Sequence, residues 1–418
     1  MVWNDPAEEV LASQRRSWPT WLRRSLWALF SILVLVVVWG GYRWWVYSQV
    51  DGYAAACERA QRLQAWPALQ ENAVAWARWE PGNAQPWRYA AEASRRQGEA
   101  LRAADYLKQV PAQATDAVAA MLELSDLQFN ELNRPLDGEA TCREILRREP
   151  SHAEAHRRLV FFYAMTLQRT KLIKQARAAI RLDCASPEVY VYLIGADWLN
   201  FSNAQRLNEF WLQADPDNAD FLVARVIHFL GSQGVLDDIL GVESNAKPIP
   251  ATAEQKAMLK GLDSCFRRFP QQPEMLAYFL RQGCKGGDRA KVAKLLGQSP
   301  PEAAEDNRFW RFKGWLQAAQ DEFADAEAAY RRALQLHPFD WQSQHELASI
   351  LRRLQRYDEV AKWQQLALEG KQIGKQVFAL PNMQSAPKML LRRIAKYARA
   401  CGDPDVADHL MLRVSSLP

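Results

Sequence analysis

Apolar positions along the chain follow two patterns. Between Arg24 and Arg43 no residue is charged, and the intervening 18 residues, SLWALFSILVLVVVWGGY, are predominantly apolar with no polar stripe. As a helix this run spans about 27 Å, close to the ~30 Å hydrocarbon core of a bilayer. Trp18, Trp21 and Trp27 near its start, and Tyr42, Trp44, Trp45 and Tyr47 at its end, have the placement of interfacial aromatic belts. Bulky residues through Tyr47 leave no small-x-small site directly after the run, so it reads as an uncleaved anchor rather than a removed signal peptide.

From Tyr53 onward the second pattern begins: amphipathic helices alternate with short breaks. Pro81-Gly82-Asn83, Pro150-Ser151-His152, Pro216-Asp217-Asn218, Pro270-Gln271-Gln272 and Pro338-Phe339-Asp340 recur as helix stops. Within Asn307–Pro338 the small residues Gly314 and Ala326 suit a close crossing of two helices, with Tyr330 and Trp310 filling the wedge beside it. Asp321 takes the turn, Phe323 starts the second helix, and Pro338 ends it by denying a backbone donor. One hairpin cannot bury its own apolar face, so such a unit must repeat.

The stretch Asn307–Pro338 resembles a tetratricopeptide repeat (TPR), a helix-turn-helix unit of about 34 residues. Trp310, Gly314, Ala326, Tyr330, Ala333 and Pro338 stand at the family's marked positions, and the units beginning at Ala84, Ala153, Trp341 and Lys388 follow the same register more loosely. The resemblance implies an all-α, TPR-like helical-hairpin solenoid, to which the apolar run adds one N-terminal transmembrane helix. The expected segments are 1–24, a cytoplasmic tail; 25–47, the span; 51–243, a first TPR-like block; and 254–418, a second. Ser244–Ala253, SNAKPIPATA, is the joint between the blocks, with Thr252 and Gln255 offering a capping box for the next helix. Gly370–Pro387 reads as a second irregular stretch that could lie over the groove.

Composition adds exclusions. With 49% hydrophobic and 11% aromatic residues the chain can bury an extended core, and a net charge of +5 over 418 residues, with no basic tail, gives no case for a nucleic-acid binder. The six cysteines are scattered without a Cys-x-x-Cys pair and read as small buried residues, not as zinc ligands or a disulfide framework. His152 and His156 lack the glutamate placement of a zincin. Gly283–Lys291 lacks the Gly-Lys-Ser/Thr of a phosphate loop, so Asp288 there reads as an N-cap. Neither a catalytic constellation, a metal site, a cofactor nor a small-molecule substrate is expected.

What remains is a surface. In TPR proteins the first helix of each unit lines the concave face, and carrying that frame over places Arg88, Arg157 and Arg311 at one repeated position, with Arg95, Arg96, Arg352 and Arg353 near the helix ends. Arg281, Trp198 and Trp315 join them. Guanidinium groups bind carboxylates bidentately, so the resemblance implies a groove for protein or peptide partners with acidic segments. The expected protein is a membrane-anchored scaffold or adaptor; a periplasmic assembly factor or chaperone for exported proteins is the alternative. Arg15, Arg16, Arg23 and Arg24 precede the span and only Arg43 directly follows it, which puts the solenoid outside the cytoplasm, in a bacterial inner membrane.

Overall fold

The computed structural model describes residues 20–198, 200–232 and 253–416. Residues 1–19 with Arg15 and Arg16, most of the expected joint, and Thr252 lie outside these residues, whereas Arg23 and Arg24 fall within the first helix. The described residues are helical hairpins with no strand. A first unit ends at Ala120 and a second begins at Met121.

The first unit holds α1 (Thr20–Arg62), α2 (Trp66–Trp79), α3 (Ala84–Arg96) and α4 (Ala100–Lys108). α5 (Ala117–Asn130) straddles the boundary. The second unit continues through α6 (Pro135–Arg148), α7 (Ala153–Met165), α8 (Arg169–Arg181), α9 (Pro187–Ile194), α10 (Ser202–Trp211) and α11 (Ala219–Ser232). Beyond the gap follow α12 (Ala253–Arg268), α13 (Pro273–Lys285), α14 (Arg289–Gly297), α15 (Asn307–Ala319) and α16 (Phe323–Leu336). α17 (Trp341–Arg353), α18 (Tyr357–Phe378), α19 (Lys388–Ala400) and α20 (Pro404–Ser416) complete it.

Backbone geometry at the turns exposes the repeat without reference to side chains. Gln64, Gly98, Asn133 and Leu167 all have positive φ, as do Gly287, Asp321 and Gln355, and within each series successive members are 34 or 35 residues apart. Each ends the first helix of a hairpin. The amide just after each positive-φ residue reaches back to a carbonyl of the helix's last turn, as in Glu99 N to Ser94 O at 2.9 Å, Glu322 N to Gln317 O at 2.9 Å and Arg356 N to Leu351 O at 2.9 Å. This Schellman closure satisfies carbonyls that the helix end leaves unpaired, and it turns the chain the same way at each of these seven turns.

Small residues set the distance between paired helices. A Cβ at Gly314 would sit 2.9 Å from the Tyr330 ring, and Ala326 is fully buried beside it. Trp310 does not fill this wedge: it is only half-buried, and its indole donates to Ala304 O at 2.9 Å. Gly370 does not break α18 either. A Cβ there would strike the Tyr397 hydroxyl and the Trp341 side chain, so the missing side chain lets α18 pass these neighbours, and the helix runs on with Ile373 and Val377 buried. Asp288 caps α14 through Lys291 N at 2.9 Å. All six cysteines are free thiols, four of them buried.

In α1, the part within Leu29–Arg62 that is apolar enough to cross a membrane has a mean hydropathy of 1.6 and none of its residues buried. The same helix continues without a break into the first hairpin, where Cys57 and Ala60 are buried in a cluster with Leu69, Ala73 and Ala90.

Candidate functional site

Two features of the second unit meet at Asn200. The first is a cavity of about 460 Å³, within the range of ligand-binding clefts. α7 supplies Val160, Phe161 and Met165, α9 supplies Val189 and Tyr192, and the segment after α18 closes it with Leu380, Pro381, Met383 and Gln384. That segment is held down at both ends. Phe378 packs on the buried Trp198 ring at 5.2 Å, and Gln384 hydrogen-bonds Glu188. Asn382 caps a single 3-10 turn by accepting from Ser385 N at 2.9 Å.

The charges at the rim of the cavity are largely consumed. Arg157 makes two 2.6 Å hydrogen bonds to Glu154 and stands 3.8 Å from Glu188. Burial raises the Glu188 carboxyl above its ordinary range in spite of Arg157. Burial likewise pushes up the Tyr192 phenol, which stays a neutral hydrogen-bonding group at physiological pH.

Behind Asn200 lies an ionic core. Glu274 on α13 accepts from Arg169 Nε at 3.2 and 3.1 Å and pairs with Arg308, which also grips Asp306 through its Nε at 3.0 Å and Nη2 at 2.6 Å. Arg311 donates to Asp340 at 2.6 Å and lies 3.5 Å from Asp197, while Asn307 bridges the two aspartates at 2.5 and 3.1 Å. Burial alone would raise the Glu274 carboxyl, but the two guanidinium groups outweigh it and hold it at about 2. Arg281 shares this gap; burial and the neighbouring Arg311, Arg169 and Arg308 push its guanidinium down to about 9. Charges from helices more than 100 residues apart in sequence are thus sealed together in one interior.

No protein-family model matches the chain, and no curated protein sequence does. Among solved structures, a tetratricopeptide repeat protein from Parabacteroides merdae is 12% identical, with 73% of this chain and 99% of that one covered and a TM-score of 0.26. The Cut9–Hcn1 hetero-tetramer of APC/C is 12% identical over 88% of this chain and 79% of that one, with a TM-score of 0.31. Yeast Tom70 is 12% identical over 87% and 92%, with a TM-score of 0.27. The fold is TPR-like. Its warrant in this chain is the 34-residue recurrence of the turns and the Gly314–Tyr330 crossing.

The TPR frame places the candidate groove residues in three different settings. Arg311 and Trp198, at 6% and 3% exposure, are interior, and Arg281 faces the same ionic gap, so none of the three lines an open groove. The physical reason is that the first helices of several repeats meet one another here, so their inward positions face protein instead of water. Arg157 borders the cavity, and Trp315 packs half-buried against the cluster of Leu280, Val292 and Phe312. Arg352 and Arg353 are exposed near the end of α17, with Arg353 over the Phe323 ring at 5.9 Å.

The first unit differs. Arg88 there is half-buried and 3.5 Å from Asp116, and Arg95 and Arg96 are exposed, with Arg96 over the Trp66 ring at 5.6 Å. His152 and His156 serve the fold: the first caps α7, and the second bonds Pro150 O at 2.8 Å and Gln175 at 2.6 Å. Sequence reasoning missed Glu188, Tyr192, Asn200 and Gln384. The irregular run around Pro381 and Pro387 was the one signal that a segment crosses this face.

Proposed function

We propose that this protein is a membrane-tethered interaction scaffold, anchored by α1, whose cavity beside α9 receives a segment of a protein partner. The observation that carries the reading is α1. Ile32 to Trp39 are all more than 40% exposed, a continuous apolar surface that water does not tolerate and a bilayer accepts. Because the same helix forms the first hairpin, anchor and repeat are one rod. The four arginines before the span support repeats outside the cytoplasm of a bacterial cell.

The cavity chemistry supports a partner with apolar side chains and backbone amides. Val160, Phe161 and Val189 offer apolar contact, while Tyr192, Asn200, Asn203 and Gln384 offer hydrogen bonds. An acidic segment is less suited to this pocket, since Glu154 already occupies the Arg157 fork. The test uses the full chain in its own membrane, with a photo-crosslinking residue replacing Met383 and, as control, Gln335 on α16. A discrete protein adduct from position 383 alone supports the scaffold reading, and identical patterns from both positions overturn it. Release of the chain from membranes by alkaline carbonate would overturn the anchor.

A further inference from the structure

The first hairpin carries a contact that sets its height above a membrane. Arg43 is the first charge after the apolar run; its guanidinium lies 5.5 Å from the Trp39 ring and 5.1 Å from the Tyr47 ring and donates to the Tyr47 hydroxyl at 2.9 Å. Such an Arg–aromatic group belongs at the headgroup boundary. Trp45 stands beside it on α1 and meets Trp79, the last residue of α2, edge-to-face at 5.0 Å. α2 folds back along α1 for 14 residues, about 21 Å, and so returns to the level of Trp45 before it stops. Pro81 and Gly82 are exposed at this turn, Arg78 is exposed one residue before Trp79, and α3 then leads away.

We propose that Arg78 and the turn Trp79–Asn83 lie in the lipid headgroup layer and form a second membrane contact, which holds the first repeats against the bilayer surface. This rests on the reading of α1 as a span. The chemistry fits: Trp79 has the amphipathic ring favoured at interfaces, and Arg78 and Arg43 can both reach lipid phosphate. The turn is also preformed. Glu80 accepts from Trp76 Nε1 at 3.0 Å and from Asn83 Nδ2 at 2.9 Å, and Asn83 caps α3 through Gln85 N at 2.9 Å, so little order need be gained on contact.

The experiment uses the full chain reconstituted into vesicles of phosphatidylcholine and phosphatidylglycerol. An environment-sensitive fluorophore is attached at Gly82→Cys, at Gln64→Cys in the opposite turn, or at Val36→Cys in the span, and background labelling of the native cysteines is subtracted. Nothing lies within 4 Å of a Cβ at Gly82, so the substitution fits. Spin labels on lipid headgroups should quench position 82 several-fold more than position 64. Equal quenching at the two turns overturns the proposal while leaving the anchor intact. Failure of acyl-chain spin labels to quench position 36 overturns the span itself, and the proposal with it.

Discussion

The two units share one turn geometry and differ in what their inward positions face. In the first, Arg88, Arg95 and Arg96 stay at or near the surface, and the core is built from Ala–Ala and Ala–aromatic contacts such as Ala73, Ala90 and Trp76. In the second, Arg169, Arg308 and Arg311 are buried and meet carboxylates from other repeats. A position in the repeat frame therefore fixes direction, not environment. Whether an inward arginine binds a partner or the protein's own aspartate depends on whether another repeat occupies the space before it.

The sharpest way to break this comparison is to remove one arginine from each unit. Arg308→Ala leaves Asp306 only its backbone cap and takes one of two partners from Glu274, and loss of one member of a buried network costs about 3–5 kcal/mol. Arg88→Ala removes a long, half-exposed pair and should cost under about 1 kcal/mol. Hydrogen exchange read by peptide follows each unit separately. Equal losses of protection would mean that the ionic core contributes no more than a surface pair.

Packing provides the next test. Gly314→Leu drives carbon into the Tyr330 ring and should cost about 1–3 kcal/mol in the second unit, against near zero for the exposed Gln335→Leu. A thermal melt unchanged by Gly314→Leu would remove the helix crossing on which the register depends.

Titration separates the units without a core mutation. All six histidines lie in the second unit, and His228 is buried with its Nδ1 accepting from Phe201 N at 3.1 Å and its Nε2–H directed at Met165 O at 3.0 Å. Burial holds it down to about 3, whereas an unfolded chain protonates it near 6.5. A folded value below the unfolded one means that this stability is complete above pH ~6.5 and drains as pH falls toward 3, by up to about 1.4 kcal/mol per pH unit. Glu274, held at about 2, adds its own loss only below about pH 4.3, by the same sign. Between pH 6.5 and 5 the second unit should lose exchange protection, after correction for intrinsic rates, while the first stays level. Burial lowers His156 and His337 too, so His228→Gln should reduce that slope rather than abolish it.

What was legible in the sequence is what is local. The Asn307–Pro338 hairpin, the Asp288 cap and the apolar run follow from spacings of a few residues, and the structure has those elements. The ionic core was hidden because its partners are remote: Arg169 and Glu274 are 105 residues apart, and Asn307 and Asp197 are 110 apart. The TPR resemblance implies that Arg311 points inward, but not that Asp340 waits there. Gly370 misled for a related reason, since a glycine that ends a helix and one that admits a neighbouring Tyr397 look alike until the neighbour is known.

The smallest expected effect tests the feature the units share. Gln64 in the first unit and Gln355 in the second hold φ of 55° and 59°, where an L-residue pays about 1–2 kcal/mol that glycine does not. Glycine also loosens the unfolded chain, which offsets roughly 0.4–1 kcal/mol of that relief. The difference leaves Gln64→Gly and Gln355→Gly stabilising by several tenths to about 1 kcal/mol each. Gly98→Ala and Gly287→Ala, at φ of 79° and 69°, should destabilise by a similar amount. Because the strain is confined to one turn, the gain should be alike in the two units, whatever their inward positions face. A gain at Gln64 with a loss at Gln355 would show that the turns of the second unit are shaped by its ionic core, and the shared geometry would then have two different causes.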